Sequence, residues 1–342
     1  MSSDVVKFGI IGCGGIGGHH AKTIAALPGA KLVAACDIRP ERAKALAEKH
    51  GCEGYDDYAT MLARDDVQVV NVCTPSGLHA DNALAAAEAG KHVITEKPID
   101  VSLEKVDRLI DRCEKKGVKL ACIFQHRFDP DARRVKRAIE EGKFGQLLFG
   151  NASVKWYRAQ SYYDSDEWRG TWALDGGVLS NQAVHYLDQI VWFMGDVAEV
   201  TFAEIGTKAR DMEAEDIGQA TVRFSNGAWG SIQASTLTWP GLATRIEVCG
   251  TNGSAVLEGD RLAFYKAEGE EEQVEAQAAS SVASADPAIG GLTGHDAQIA
   301  DFIAALRENR DPAVTGREGR RSLALLTEIY RKATGRAMLG GK

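Results

Sequence analysis

A glycine pattern set between a strand and a helix constrains this chain more than any other feature. Residues 12–17 read Gly12-Cys13-Gly14-Gly15-Ile16-Gly17, a G-x-G-x-x-G spacing. The spacing alone is common, but its surroundings here are not. An apolar run, Val6–Ile11, precedes it, a helical pattern over residues 18–27 follows, and a second apolar run over residues 31–36 ends at Asp37. A strand, this loop, a helix and a second strand ending in an acid form the arrangement that binds a dinucleotide. Gly12 permits the tight turn, Gly14 lets the backbone approach a pyrophosphate, and Gly17 lets helix and strand pack closely. Gly15 and Ile16 open the helix, whose N-terminus offers N–H groups and positive dipole potential to phosphate. Asp37 is placed to accept hydrogen bonds from ribose hydroxyls and to repel a 2′-phosphate, which favours NAD over NADP. Arg39, just past Ile38, pulls the other way, because it can stack on adenine or meet a 2′-phosphate. NADP therefore stays open.

The rhythm of the chain supports two domains. Up to residue 125, short β-branched runs alternate with helical patterns: strands over residues 67–73, 92–95 and 120–124, helices over 42–50, 78–89 and 103–115. Such alternation predicts an α/β unit with a doubly wound parallel sheet, buried on both faces. From residue 126 to 342 the pattern changes to period-2 segments over residues 148–157, 199–205, 218–224, 228–238, 244–249 and 254–257. Asn226-Gly227 and Asn252-Gly253 are favoured hairpin turns. This half reads as an α+β domain with a large, mostly antiparallel sheet, entered by one helix over residues 179–193. Residues 268–291 read as an irregular loop. Two closing helices, over 296–307 and 319–334, are free to pack back on the first domain. His19 and His20 read as helix-surface residues, and His295-Asp296 as a helix cap.

Composition removes several function classes. The net charge of −8 disfavours a nucleic-acid partner. The basic cluster Arg133, Arg134, Lys136 and Arg137 reads as a solvated helix face. No apolar run approaches the roughly 20 residues that span a bilayer, and no signal-peptide pattern is visible, so a cytoplasmic protein without a membrane partner is expected. The seven cysteines are scattered without a CxxC pair, which argues against a disulfide framework or a metal site.

Two further motifs follow strands of the first half: Val72-Cys73-Thr74-Pro75 with His79, and Glu96-Lys97-Pro98. The second half adds Trp168-Arg169-Gly170-Thr171-Trp172, Gly176-Gly177 and the run Asn181-Gln182-Ala183-Val184-His185-Tyr186-Leu187-Asp188. Together they resemble the glucose–fructose oxidoreductase/inositol dehydrogenase (Gfo/Idh/MocA) family over nearly the whole chain. The resemblance implies a Rossmann domain, a substrate domain with an open sheet that forms a subunit interface, and a homodimer or homotetramer. It implies hydride transfer between a nicotinamide and a sugar or cyclitol carbon. It maps Lys97 onto the family's active-site lysine and His185 onto its catalytic histidine. It places Cys73, Thr74, Pro75, His79, Glu96, Trp168 and Arg169 near the cofactor.

The chemistry of these residue types agrees. Oxidising a secondary alcohol removes the hydroxyl proton while a hydride leaves the same carbon. A histidine can take that proton near neutral pH, and an ammonium stabilises the developing alkoxide. Asn181 departs from the inositol-dehydrogenase pattern, where Asp stands four residues before the histidine. The Asn-Gln version resembles the branch acting on nucleotide-sugar uronates. Gln125 and Arg127 fall at the domain junction. Arg127 suits either a substrate carboxylate or hydroxyl, or an interdomain ion pair. Tyr157 suits stacking on a sugar face and Arg158 an anionic group, or both serve sheet packing. Tyr162 and Tyr163 either touch substrate or pack. Two other readings remain open: a cofactor reduced and reoxidised within one cycle, giving epimerisation, elimination or glycoside cleavage, and a non-catalytic NAD(H) sensor.

Overall fold

Continuous apolar runs become buried parallel strands, and the glycines that follow each helical pattern end the helices. The computed structural model describes residues 5–271, 273–274 and 293–335. The chain divides into two compact units, Met1–Gln125 with Leu292–Arg320, and His126–Gly291 with Arg321–Lys342.

The first unit carries β1 (Val6–Ile11), α1 (Gly15–Ala26), β2 (Ala30–Cys36), α2 (Pro40–His50), β3 (Glu53–Tyr55), α3 (Tyr58–Leu62), β4 (Val69–Val72), α4 (His79–Glu88), β5 (His92–Thr95), α5 (Leu103–Lys116) and β6 (Leu120–Cys122). Helix limits follow local chemistry. Pro40 opens α2, and Gly51 closes it with φ 65°. Ser102 caps α5 by accepting the Lys105 N–H, and Gly117 ends it with φ 66°. The strands form one parallel sheet in the order β3-β2-β1-β4-β5-β6. The order reverses between β1 and β4, and ligands of such sheets bind beyond the carboxyl ends of the strands at that reversal. The glycine loop and Cys73-Thr74-Pro75 both lie there. Phe8, Ile10, Ile24, Val69 and Ile94 share one buried core with Ile299 and Phe302.

The second unit carries α6 (Pro130–Glu140), β7 (Leu147–Lys155), α7 (Gln160–Tyr163), α8 (Val178–Asn181), α9 (Val184–Met194), β8 (Val197–Gly206), β9 (Ile217–Phe224), β10 (Trp229–Ser235), β11 (Arg245–Gly250), β12 (Ser254–Glu258), β13 (Arg261–Lys266) and β14 (Gln273–Val274). The eight strands run β14-β13-β12-β11-β7-β10-β9-β8. Every pair is antiparallel except β7 with β10. β9 alternates strictly, with Ala220, Val222 and Phe224 buried and Ile217, Thr221 and Arg223 outward. α9 lies on the buried face of β7, so close that a Cβ on Gly150 would stand 2.5 Å from Met194 Cγ. The opposite face is open. Phe149 and Trp229 are register partners there and remain 49% and 62% exposed. α10 (Thr293–Arg307) belongs to the first unit, and α11 (Gly316–Thr334) begins there and ends in the second.

Several segments differ from the sequence expectation, β13 and α7 among them. β3 and α3, three and five residues long, are too short to leave a periodic signal. The helix expected over residues 179–193 is two helices, because the Ala183 N–H bonds back to Val178 O in a widened turn. Asn181 and His185 therefore do not share one regular helix face. Within the expected loop, Gln273–Val274 pairs with β13, and residues 275–291 lie outside the described residues. Among the described residues no helix is long and apolar enough to cross a membrane.

Candidate active site

The glycine loop is shaped by two close approaches. Gly12 has φ 96°, and a Cβ there would stand 2.5 Å from the Cys73 carbonyl oxygen. A Cβ on Gly17 would stand 1.9 Å from the Gly12 carbonyl oxygen. Gly14, by contrast, faces open space, and no side chain caps α1 behind it. The loop thus presents bare backbone and a helix N-terminus to an incoming anion. Ile16 is half-buried against the core. Asp37 braces the loop: its carboxylate accepts the N–H of Cys13 at 2.7 Å and of Arg39 at 2.9 Å. Ile38 is exposed, and so is Arg39 at the start of α2.

Beside this loop, two residues expected to touch the cofactor are buried struts. His79 is 2% exposed, with Nδ1 2.7 Å from Pro98 O and Nε2 2.7 Å from Thr74 O. Each ring nitrogen faces a backbone carbonyl, so the ring ties the Thr74-Pro75 turn to the turn after β5. Glu96 is 4% exposed and turns inward. Its carboxylate meets His20 Nε2 at 2.8 Å and His295 Nε2 at 3.5 Å, and accepts the Lys97 N–H at 3.1 Å. Burial alone would raise this carboxyl, but hydrogen bonds and charge from His20 and His295 hold it well below the usual carboxylate range. Asn71 meets the other face of His20, with its amide nitrogen 2.8 Å from Nδ1. His20 is therefore a core residue rather than a surface one, and His295 sits inside α10 against Glu96 rather than capping a helix. Lys97 itself, half-buried, is anchored on both sides by this packing, between Glu96 and the cis-bonded Pro98. Gln125 ends this unit buried, with no partner for its Oε1 among the described residues.

In the second unit the sequence candidates gather around Tyr162. Arg169 lies over the Tyr162 ring at 4.4 Å and over Trp168 at 4.6 Å, and donates to the Tyr162 hydroxyl at 2.8 Å. Arg158 lies 5.4 Å from the same ring and 5.1 Å from Trp156. It donates to Tyr157 O, while its Nε is buried with no partner among the described residues. Burial pulls the Arg158 guanidinium below its ordinary range. Tyr157 packs edge-on against Trp239 at 4.9 Å. Tyr163 is buried, hydrogen-bonded to Thr236. Arg127, which suited either a substrate group or an interdomain ion pair, is 4% exposed and clamps Asp188 with two hydrogen bonds of 2.7 Å, both partners within this unit. The basic cluster is only partly solvated, since Arg134 lies 4.2 Å over Tyr265.

Asn181 and His185 complete the candidates of this unit. The Asn181 amide donates to Asp175, whose other oxygen accepts the Gly170 N–H at 2.8 Å. Asp175 is 1% exposed and was not singled out from the sequence. Its only signal was an acid directly before Gly176-Gly177. Half-buried His185 stands at the start of α9, its ring 5.2 Å from that of His126.

The family model described as "Oxidoreductase family, NAD-binding Rossmann fold" matches residues 6–124, and "GFO/IDH/MocA C-terminal domain" matches residues 132–256. The chain belongs to the Gfo/Idh/MocA family. It is 33% identical to myo-inositol 2-dehydrogenase of Thermotoga maritima over 72% of this chain and 74% of that one. It is 28% identical to inositol 2-dehydrogenase of Rhizobium meliloti over 95% and 96% of the two chains. Among solved structures, the WlbA dehydrogenase from Bordetella pertussis in complex with NADH and UDP-GlcNAcA superposes with a TM-score of 0.87 at 36% identity, covering 98% of each chain. This Gfo/Idh/MocA chain is thus an NAD-dependent oxidoreductase of the group whose relatives act on sugars, cyclitols and nucleotide sugars. Its bare glycine loop, uncapped α1 and Asp37 fit a dinucleotide.

Proposed function

We propose that the enzyme oxidises a ring hydroxyl of a nucleotide-linked uronic acid, with NAD as hydride acceptor. The observation that carries this reading is the pair of guanidinium groups, Arg158 and Arg169, flanking Tyr162. Among the described residues, Arg158 has no carboxylate contact, and its buried Nε has no partner. Such a group suits a substrate carboxylate or diphosphate. Similarity to a dehydrogenase holding UDP-GlcNAcA supports the same substrate class.

NAD, when bound, supplies a nicotinamide that takes up the hydride. The chain's residues do the rest. Gly12 and Gly17 shape the loop, Gly14 and Gly15 present backbone to the pyrophosphate at the start of α1, and Asp37 receives the ribose hydroxyls. Cys73, Thr74 and Pro75 bound the same pocket. Trp168, Tyr157 and Gln125 contact substrate or cofactor. His185 takes the hydroxyl proton, and Lys97 stabilises the alkoxide as it forms. Asn181, fixed by Asp175, orients the substrate. All seven cysteines are free, which fits a reducing cytoplasm. The open sheet face bearing Phe149 and Trp229 joins copies into a homodimer or homotetramer, which sedimentation velocity tests.

The substrate reading is tested by following reduced-nicotinamide absorbance with UDP-linked uronates, the matching neutral UDP-sugars, free sugars and cyclitols. UDP-uronates should give turnover. Arg158→Gln should raise their KM roughly tenfold or more, the loss of one charge-assisted contact. Equal turnover of a cyclitol and no effect of Arg158→Gln would reject this substrate class.

A further inference from the structure

The proton acceptor assigned above has a charged neighbour of its own. The His126 ring stands edge-on to His185 at 5.2 Å and stacks on Tyr186 at 5.7 Å. Its Nδ1 hydrogen-bonds Asp129 Oδ2 at 2.9 Å and lies 3.8 Å from Asp260 Oδ1. Asp260 is held there by the Tyr186 hydroxyl at 3.1 Å and by an unusual backbone, φ 66°, in a region that non-glycine residues rarely occupy. The groups facing His126 are thus Asp129 from its own turn, Asp260 from the β12–β13 turn, and His185, Tyr186 and Asp188 from α9. Burial would lower the His126 pKa, but Asp260 and Asp129, with Asp188 further off, raise it above the usual histidine value. The two carboxylates favour the charged form of the ring.

Position 181 is Asn, bonded to Asp175, and Asp188 is committed to Arg127. We propose that His126 is a positioning residue for the reaction: its imidazolium, held by Asp129 and Asp260, keeps His185 neutral and ready to accept the substrate proton. A like charge near 5 Å disfavours a second imidazolium. At a dielectric between that of a protein surface and that of bulk water the shift is on the order of one pH unit. This rests on the reading of His185 as the proton acceptor.

The test titrates His185 directly in the full-length protein, by NMR of ring-labelled histidine, alongside the pH profile of kcat/KM. The proteins compared are the parent, His126→Gln and His126→Lys. In His126→Gln the His185 pKa and the acid limb of kcat/KM should both move up by roughly one pH unit. His126→Lys, which restores a cation, should bring both back toward the parent. An unmoved His185 titration in His126→Gln, or an equal rise in both variants, overturns the proposal. A His185→Ala protein that keeps its acid limb refutes the acceptor reading instead, and the NMR titration separates the two failures.

Discussion

Replacing Glu215 by glutamine removes a pH dependence of stability that the fold builds in. Glu215 is 1% exposed. Its Oε1 accepts the Tyr330 hydroxyl at 2.7 Å and the Leu179 N–H at 2.9 Å, while Oε2 has no partner among the described residues. Burial drives its pKa from 4.5 up to about 7, against those two hydrogen bonds, and nearby Asp175 adds to the rise. In the unfolded chain the group ionises from pH 4.5 upward, while in the fold it stays protonated until about pH 7. The unfolded state therefore binds fewer protons between these values, and stability falls as pH rises. At 1.36 kcal/mol per pH unit, the loss across that window is about 3 kcal/mol. Glutamine keeps the Oε1 acceptor and cannot ionise. Urea denaturation midpoints are measured near pH 4.5 and near pH 7.5 in both proteins. The difference between their pH dependences cancels other titrating groups, Asp100 among them, and should approach 3 kcal/mol, with the parent losing more. Identical pH dependence in the two proteins would refute the reasoning.

Two further substitutions probe the glycine loop and the Arg127–Asp188 pair. Gly17→Ala forces a Cβ into the Gly12 carbonyl oxygen, 1.9 Å away; it should cost about 1–3 kcal/mol of stability and weaken NAD binding at least tenfold by calorimetry. Asp188→Ala strands the buried Arg127 charge and should destabilise by about 3–5 kcal/mol in urea denaturation, whereas a substrate-binding Arg127 would leave stability unchanged and raise KM.

The parallel half was legible because its strands are uninterrupted apolar runs and its helices stop at glycine. Val69–Val72 and Gly51 carry that information locally. The glycine loop was legible for the same reason, since its chemistry is written in six consecutive residues. The struts were not. His20 meets Glu96 across 76 residues and Thr23 meets Asp296 across 273, so only the fold unites them. Histidine on a helix looks alike in sequence whether it faces water or a buried carboxylate. Arg127 was ambiguous because a guanidinium suits a substrate carboxylate and Asp188 equally well, and the partner lies 61 residues on. The break between α8 and α9 escaped because no Gly or Pro marks it. The widened turn at Ala183 is made by backbone bonding alone.

Lys97→Ala, assayed for both NAD binding and turnover, separates a catalytic lysine from a cofactor-binding one. Lys97 follows β5 with its neighbours fixed by His20, His295 and His79, so its removal should leave the glycine loop intact. Calorimetry should find NAD affinity within about threefold of the parent, while turnover of the UDP-uronate falls roughly 10²–10⁴-fold, the range for losing one acid–base or electrostatic catalytic group. Unchanged turnover would contradict the assignment of Lys97 and of the site built around it.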